Sequence, residues 1–297
     1  MSAPGGSAAV RAAPELVWVN GQPAASVSAL ERGLHYGDGL FETLACVHGQ
    51  PRFLELHLRR LAAGCARLGL ACPQGPLRAE LRTLAAGSSR AIVKVLVTRG
   101  PAQARGYAVT GHEQPTRIVL RYGWPADDPA LERDGVRVRL AAQRLGENPS
   151  LAGLKHLNRL EQVLARREWS DAQIADALMF SSSGALISGT MSNVFLVTDG
   201  KLCTPSVDRC GVAGVMRAVV RALAAHGGQA AEERTLNARD LESTTEMFLT
   251  NALIGIRPVR ELAGRTLPPG PLTRHLQEQL APWLASAREL PAELDRD

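Results

Sequence analysis

The chain has 297 residues, 45% of them hydrophobic and 21% charged, with a net charge of +5. This is the balance of an ordinary globular protein with material for one large domain or two medium ones. Aromatic residues make up only 4% and the arginines alternate with acids, as in Arg78-Ala79-Glu80-Leu81-Arg82, which argues against a nucleic-acid surface. No apolar run approaches the roughly 18–20 residues that span a bilayer, so no membrane partner is expected.

Residues 1–14 are rich in small side chains but lack the apolar core of a signal peptide, and read as a disordered tail on a cytoplasmic protein. A short strand at 16–21 ends in an Asn-Gly turn. A glycine-punctuated loop over 32–39 leads into a strand at 40–47. The helical spacing of Leu58, Leu61, Cys65 and Leu68 predicts a helix over 55–68, and a second covers 77–86. The β-branched alternation of 91–98 is that of a strand whose Lys94 points away from the core. A polar loop over 99–114 and a strand at 117–122 complete a small N-terminal α/β domain, 15–123. Residues 124–130, with two prolines, form a linker.

The larger C-terminal domain, 131–297, reads as a strand (136–142), a helix (156–169), a strand (176–181) and a hairpin through 190–198. A glycine turn, a helix (215–226), a strand (246–250) and a closing helix (272–287) follow. The mixture is α+β. Five cysteines without a CxxC pair argue against a disulfide framework, and the histidines lack metal-ligand spacing, so no metal is expected.

Only three lysines occur: Lys94, Lys155 and Lys201. Arginine cannot lose its proton in a protein, whereas a lysine amine with a lowered pKa can form an imine. Lys155 stands in Gly153-Leu154-Lys155-His156-Leu157-Asn158-Arg159-Leu160-Glu161-Gln162. Downstream, Gly211-Val212-Ala213-Gly214-Val215-Met216-Arg217 is a glycine-rich turn opening a helix, where the N–H groups of Val215 and Met216 suit an anion.

These segments, with His57-Leu58-Arg59-Arg60-Leu61, Ser188-Gly189-Thr190-Met191-Ser192-Asn193, Thr250-Asn251-Ala252 and Tyr36-Gly37-Asp38-Gly39-Leu40-Phe41-Glu42-Thr43, resemble a known family. It is the branched-chain/D-amino-acid aminotransferase and aminodeoxychorismate lyase family, the fold-type IV enzymes that use pyridoxal phosphate (PLP). The resemblance runs from about residue 18 to 280. It implies two domains with the cofactor in the cleft between them, and a homodimer with its sites near the subunit interface. Lys155 falls at the Schiff-base position, Arg60, Val215 and Met216 at the phosphate, and Asn251 at a further cofactor contact. Arg105-Gly106-Tyr107 matches a substrate loop, while Tyr36 and Thr43 are expected to line the cleft.

One position departs from the family pattern. Ser188 stands where relatives commonly carry a glutamate, which keeps the cofactor ring nitrogen protonated. A serine supplies no charge. That weakens amino transfer more than an elimination drawn forward by ring aromatisation. The Lys-His-Leu-Asn-Arg run likewise points to the lyase branch, which converts the small anionic substrate 4-amino-4-deoxychorismate to 4-aminobenzoate and pyruvate. The alternative is a class IV aminotransferase acting on D- or branched-chain amino acids.

Overall fold

The computed structural model describes residues 13–291 and 294, so the expected tail lies outside the described residues apart from residues 13 and 14. The first half comprises β1 (Leu16–Val19), β2 (Gln22–Pro23), α1 (Arg32–Tyr36), β3 (Gly39–Val47), β4 (Gln50–Pro51), α2 (Leu54–Leu68), α3 (Gln74–Ala85), β5 (Arg90–Thr98) and β6 (Thr116–Gly123). Its strands form one six-stranded sheet in the order β2-β1-β6-β5-β3-β4. Alternation sets its two faces. Leu40, Leu44, Cys46, Val93, Val95 and Val97 point to α2 and α3 and form the first core with Leu58, Leu61, Leu77 and Leu81. Phe41, Thr43, Ile92, Lys94 and Leu96 lie on the opposite face and are only half-buried.

The second half begins with α4 (Pro129–Arg133), which occupies part of the expected linker, its first turn capped by Asp128. It continues with β7 (Val136–Leu145), α5 (Leu160–Arg166), β8 (Ile174–Ser181), β9 (Leu186–Gly189), β10 (Asn193–Thr198) and β11 (Lys201–Pro205). Then come α6 (Val215–His226), β12 (Glu232–Arg234), α7 (Ala238–Ser243), β13 (Glu246–Asn251), β14 (Gly255–Leu262), β15 (Arg265–Thr266) and α8 (Pro271–Leu284). A nine-stranded mixed sheet runs β12-β11-β10-β13-β14-β7-β8-β9, with β15 on β14. Helices α6 and α8 cover it through Val219, Val220, Leu276 and Leu280, packed on the stacked rings of Phe195 and Phe248.

Three expected elements differ, one being the hairpin through 190–198, which is a turn and the single strand β10 paired with β11 and β13. The loop at 32–39 contains the helix α1, closed by Gly37 in the left-handed region. The helix expected from residue 156 begins only at Leu160. Residues 153–157 instead form a non-helical segment with isolated bridges at Gly153 and His156, because their backbone groups find partners elsewhere. Phe41 N donates to Lys155 O at 2.9 Å, and Leu157 N to Gly39 O at 3.0 Å. The lysine segment thus pairs with the start of β3 (Leu40 opposite His156) and brings the two halves of the chain together.

Candidate active site

Lys155 is held from two sides. Its carbonyl is fixed by β3, and two residues earlier Gly153 pairs with Val212 in the loop before α6. Gly153 N donates to Gly211 O and Ala213 N to Gly153 O, at 3.1 and 3.0 Å. Gly153 has φ +78, a left-handed conformation that a side chain would strain. Arg159 braces the segment from within, its Nε donating to His156 O and its Nη2 to Leu154 O. The Lys155 amine sits 4.3 Å from the centre of the Phe41 ring. Burial, and next the charge of Arg60, push its pKa down to about 7, with Arg159 and Lys94 adding to the effect and Glu42 opposing it. A neutral, nucleophilic amine is therefore present near pH 7.

Arg60 approaches from α2. Its Nε and Nη2 donate to the two carboxylate oxygens of Glu42 at 2.7 and 2.5 Å, and its Nη1 donates to Ala213 O at 2.8 Å. His57, one turn earlier on α2, donates from Nδ1 to the same carboxylate at 2.7 Å. Burial alone would raise the Glu42 pKa. The Arg60 charge and the His57 hydrogen bond outweigh it and hold the group at about 2. Glu42 is thus a fixed anion that aims Arg60 at the loop of residues 211–214. It lies within the family segment of residues 36–43, whose reading assigned it no role of its own.

That loop leads into α6, where no side chain caps the first turn. The N–H groups of Val215 and Met216 are therefore left without side-chain acceptors at a helix end whose dipole suits an anion. Gly214 has no room for a methyl group, since a Cβ there would lie 2.0 Å from Asn193 Oδ1. Asn193 in turn donates from Nδ2 to Val212 O at 2.9 Å and shapes the loop. A half-buried amine, an oriented guanidinium and an uncapped helix N-terminus are tied to the same loop of residues 211–214, and that donor set fits PLP.

The other anticipated residues are placed as follows. Ser188 is buried on β9 and donates to Gly189 O at 2.8 Å. The buried carboxylate beside it, Asp176, accepts from Thr190 N, Thr190 Oγ1 and Ser192 Oγ, so it shapes the turn after β9. Asn251 accepts from Leu253 N and Ile254 N and donates to Met191 O, which makes it the cap of its own turn. Thr43 lies half-buried on the face that carries Phe41, paired across strands with Lys94.

Tyr36 packs against Tyr107 with ring centres 5.1 Å apart and the planes tilted by 59°. Arg32 donates to Gly106 O, Tyr107 O and Ala108 O and so fastens that loop. Tyr107 remains 81% exposed and Arg105 is exposed as well. Among the described residues no hydrogen bond or ring contact joins either to Lys155. Behind the lysine segment, His156 faces a separate cavity of about 320 Å³ lined also by Asn148, Arg159, Gln162 and Cys210. Burial pushes the His156 pKa down to about 4, so this imidazole is neutral.

Residues 39–262 match the family model described as amino-transferase class IV. The chain belongs to the class IV aminotransferase family. Within it, this class IV chain is 34% identical to the aminodeoxychorismate lyase of Vibrio harveyi over 275 residues, 89% of this chain and 99% of that protein. It is 32% identical to a putative branched-chain-amino-acid aminotransferase of Methanocaldococcus jannaschii, over 86% of this chain and 90% of the other. The crystal structure of 4-amino-4-deoxychorismate lyase from Pseudomonas aeruginosa superimposes with a TM-score of 0.88 at 47% identity, covering 91% of this chain and all of that one. The two-layered α+β arrangement is the class IV fold.

Proposed function

We propose that this chain is a PLP-dependent 4-amino-4-deoxychorismate lyase that releases 4-aminobenzoate and pyruvate. The observation that carries the reading is the convergence of Lys155, Arg60 and the N-terminus of α6, in a relative of two lyases over nearly its whole length. Lys155 would hold the cofactor, Arg60 with Val215 and Met216 its phosphate, Ser188 would stand at its ring nitrogen and Asn251 beside it. When bound, PLP draws electrons away from the carbon that bears the substrate amine. Lys155, neutral near pH 7, takes the proton from that carbon as general base. The C–O bond to the three-carbon unit breaks, the carbocycle becomes aromatic, and the same amine returns a proton to the departing enolpyruvate.

Ser188 favours this reaction over amino transfer, because its hydroxyl brings no charge to the ring nitrogen. Tyr36 and Thr43 belong to the substrate side, together with Arg105 and Tyr107. The exposure of the last two within one chain suits a substrate role exercised in a homodimer. Half-buried Val17, Val19, Ile118 and Leu120 on the face of the first sheet turned away from α2 and α3 support such a dimer, as do Leu160, Val163 and Leu164, exposed along α5. Five unbridged cysteines suit the cytoplasm. Among the described residues no helix is long and apolar enough to cross a membrane.

A coupled assay for pyruvate and 4-aminobenzoate release from enzymatically generated aminodeoxychorismate tests the activity. Robust glutamate formation from 2-oxoglutarate and a panel of amino acids, without pyruvate release, would replace the lyase by an aminotransferase. Sedimentation velocity tests the dimer.

A further inference from the structure

Cys65 and Cys72 stand on either side of the turn that ends α2. Cys65 lies in the last turn of the helix, fully buried in the first core beside Leu61 and Leu81. Gly69 closes the helix in the left-handed region, and Leu70 N donates to Cys65 O at 2.8 Å. The chain is thereby folded back over its own helix end. Cys72 packs against the same core while remaining partly exposed. The two free thiols are hydrogen-bonded to each other. Arg99 fixes the turn between them from outside, its Nη2 donating to Leu68 O at 2.8 Å and its Nη1 to Gly69 O at 2.9 Å. The sulfurs are thus kept in contact by more than their own hydrogen bond.

The reactivity of a cysteine follows its thiolate character and its access to solvent. The hydrogen bond from Cys65 holds the Cys72 thiol below its ordinary range, and Cys72 is the member of the pair with exposed surface. That same contact, and next burial, push the Cys65 thiol up. The proton therefore stays on Cys65 and the thiolate forms at Cys72. The other three cysteines are buried, and burial pushes Cys46 up to about 12 and Cys210 to about 11.

We propose that Cys65 and Cys72 are a redox-active dithiol, oxidised to an intramolecular disulfide by a small hydroperoxide. The Cys72 thiolate attacks the terminal peroxide oxygen. An S–O bond forms, the O–O bond breaks, and the other oxygen takes up a proton and leaves as water or an alcohol. The Cys65 sulfur then attacks the sulfenic acid at Cys72. The S–S bond forms, the S–O bond breaks, and the hydroxyl leaves as water with the Cys65 proton. The two sulfurs lose two electrons and the peroxide gains them. A neutral sulfenic acid at Cys72 no longer raises the Cys65 thiol, which eases the second step. The alternative is an inert pair that serves core packing alone. The oxidation is independent of the reaction catalysed in the cleft.

Trypsin separates the pair, because Arg67 lies between them: Cys65 falls in residues 61–67 and Cys72 in residues 68–78. The test treats the cofactor-loaded wild type with hydrogen peroxide, alkylates the remaining thiols under denaturing conditions, and maps the digest by mass spectrometry without reductant. The two peptides should be recovered joined, short of two hydrogens, and should part on adding dithiothreitol. Linkage should run at least tenfold faster than oxidation of Cys46, Cys203 or Cys210 in the same sample. Cys65→Ser should stop the reaction at a sulfenic acid on Cys72 that dimedone traps. Recovery of both peptides alkylated overturns the proposal, as does passage of Cys72 to sulfinic acid without joining Cys65. Oxidation of the other three cysteines at a comparable rate overturns it too. These outcomes are read on the wild type, so they decide even if the variant does not fold.

Discussion

Glu42 on β3 receives both Nε and Nη2 of Arg60, at 2.7 and 2.5 Å, and so fixes the guanidinium that points to the loop before α6. A buried pair of this kind adds little net stability, but removing one member strands the other. Glu42→Ala is expected to lower the unfolding free energy by about 3–5 kcal/mol and to weaken PLP binding at least tenfold. Denaturant unfolding and cofactor titration measure the two effects. Because the carboxyl sits near 2 in the fold against an ordinary 4.5, its contribution is complete above pH 4.5 and disappears as pH falls toward 2. The stability gap between wild type and variant should close over that window, and a gap independent of pH would contradict the assignment.

Lys155 carries the opposite sign. Its amine is lowered to about 7 in the fold from an ordinary 10.5, so between these values the unfolded chain binds more protons than the folded one. Stability of the cofactor-free protein should therefore rise with pH from 7 to 10.5. Lys155→Met removes that burden. It is expected to be more stable than wild type at pH 7 by roughly 3–5 kcal/mol, with the advantage shrinking toward pH 10.5. The variant should also lose the imine absorbance of the loaded enzyme, and retention of that band would disqualify Lys155.

Gly214 offers a purely steric test. Its φ of −70 suits any residue, so only the 2.0 Å approach of a Cβ to Asn193 Oδ1 opposes a substitution. Gly214→Ala should displace Asn193 from Val212 O and deform the loop before α6 while the circular dichroism stays unchanged. PLP affinity is expected to fall at least tenfold in an absorbance titration.

Arg32 ties down the loop that bears Arg105 and Tyr107 through three backbone carbonyls. Asp38, its carboxylate partner, keeps a second arginine in Arg99 and so remains in place without it. Arg32→Leu should accordingly free residues 104–110 and leave the Asp38 turn intact. Limited trypsin digestion is expected to cut after Arg105 at least fivefold faster, as read by mass spectrometry of the fragments.

Much of this was legible from local pattern. Helix α6 covers 215–226 as the apolar spacing predicts, and the strand alternation of 91–98 puts Lys94 on the face away from the core. The lysine segment departs from the helix expected over 156–169, although Leu157, Leu160, Val163 and Leu164 satisfy helical spacing. Hydrogen bonds to Gly39 and Phe41 decide its non-helical form, and they come from more than a hundred residues earlier. Glu42 left a signal that could have been used. On a strand face otherwise made of Leu40, Leu44 and Cys46, one carboxylate requires a buried cation, and His57 with Arg60 lies one helical turn apart on the next helix.

The bridge between Gly153 and Val212, taken with the bond from Phe41 to Lys155, makes the reactive segment a staple between two separately built sheets. If either sheet opens, the amine is carried away from the helix end proposed to receive the phosphate. A ligand grasped at both ends resists that separation, so the loaded protein should unfold in one cooperative step and the empty one should part along the seam first. Retention of the cofactor thereby becomes a gauge of the integrity of the whole chain.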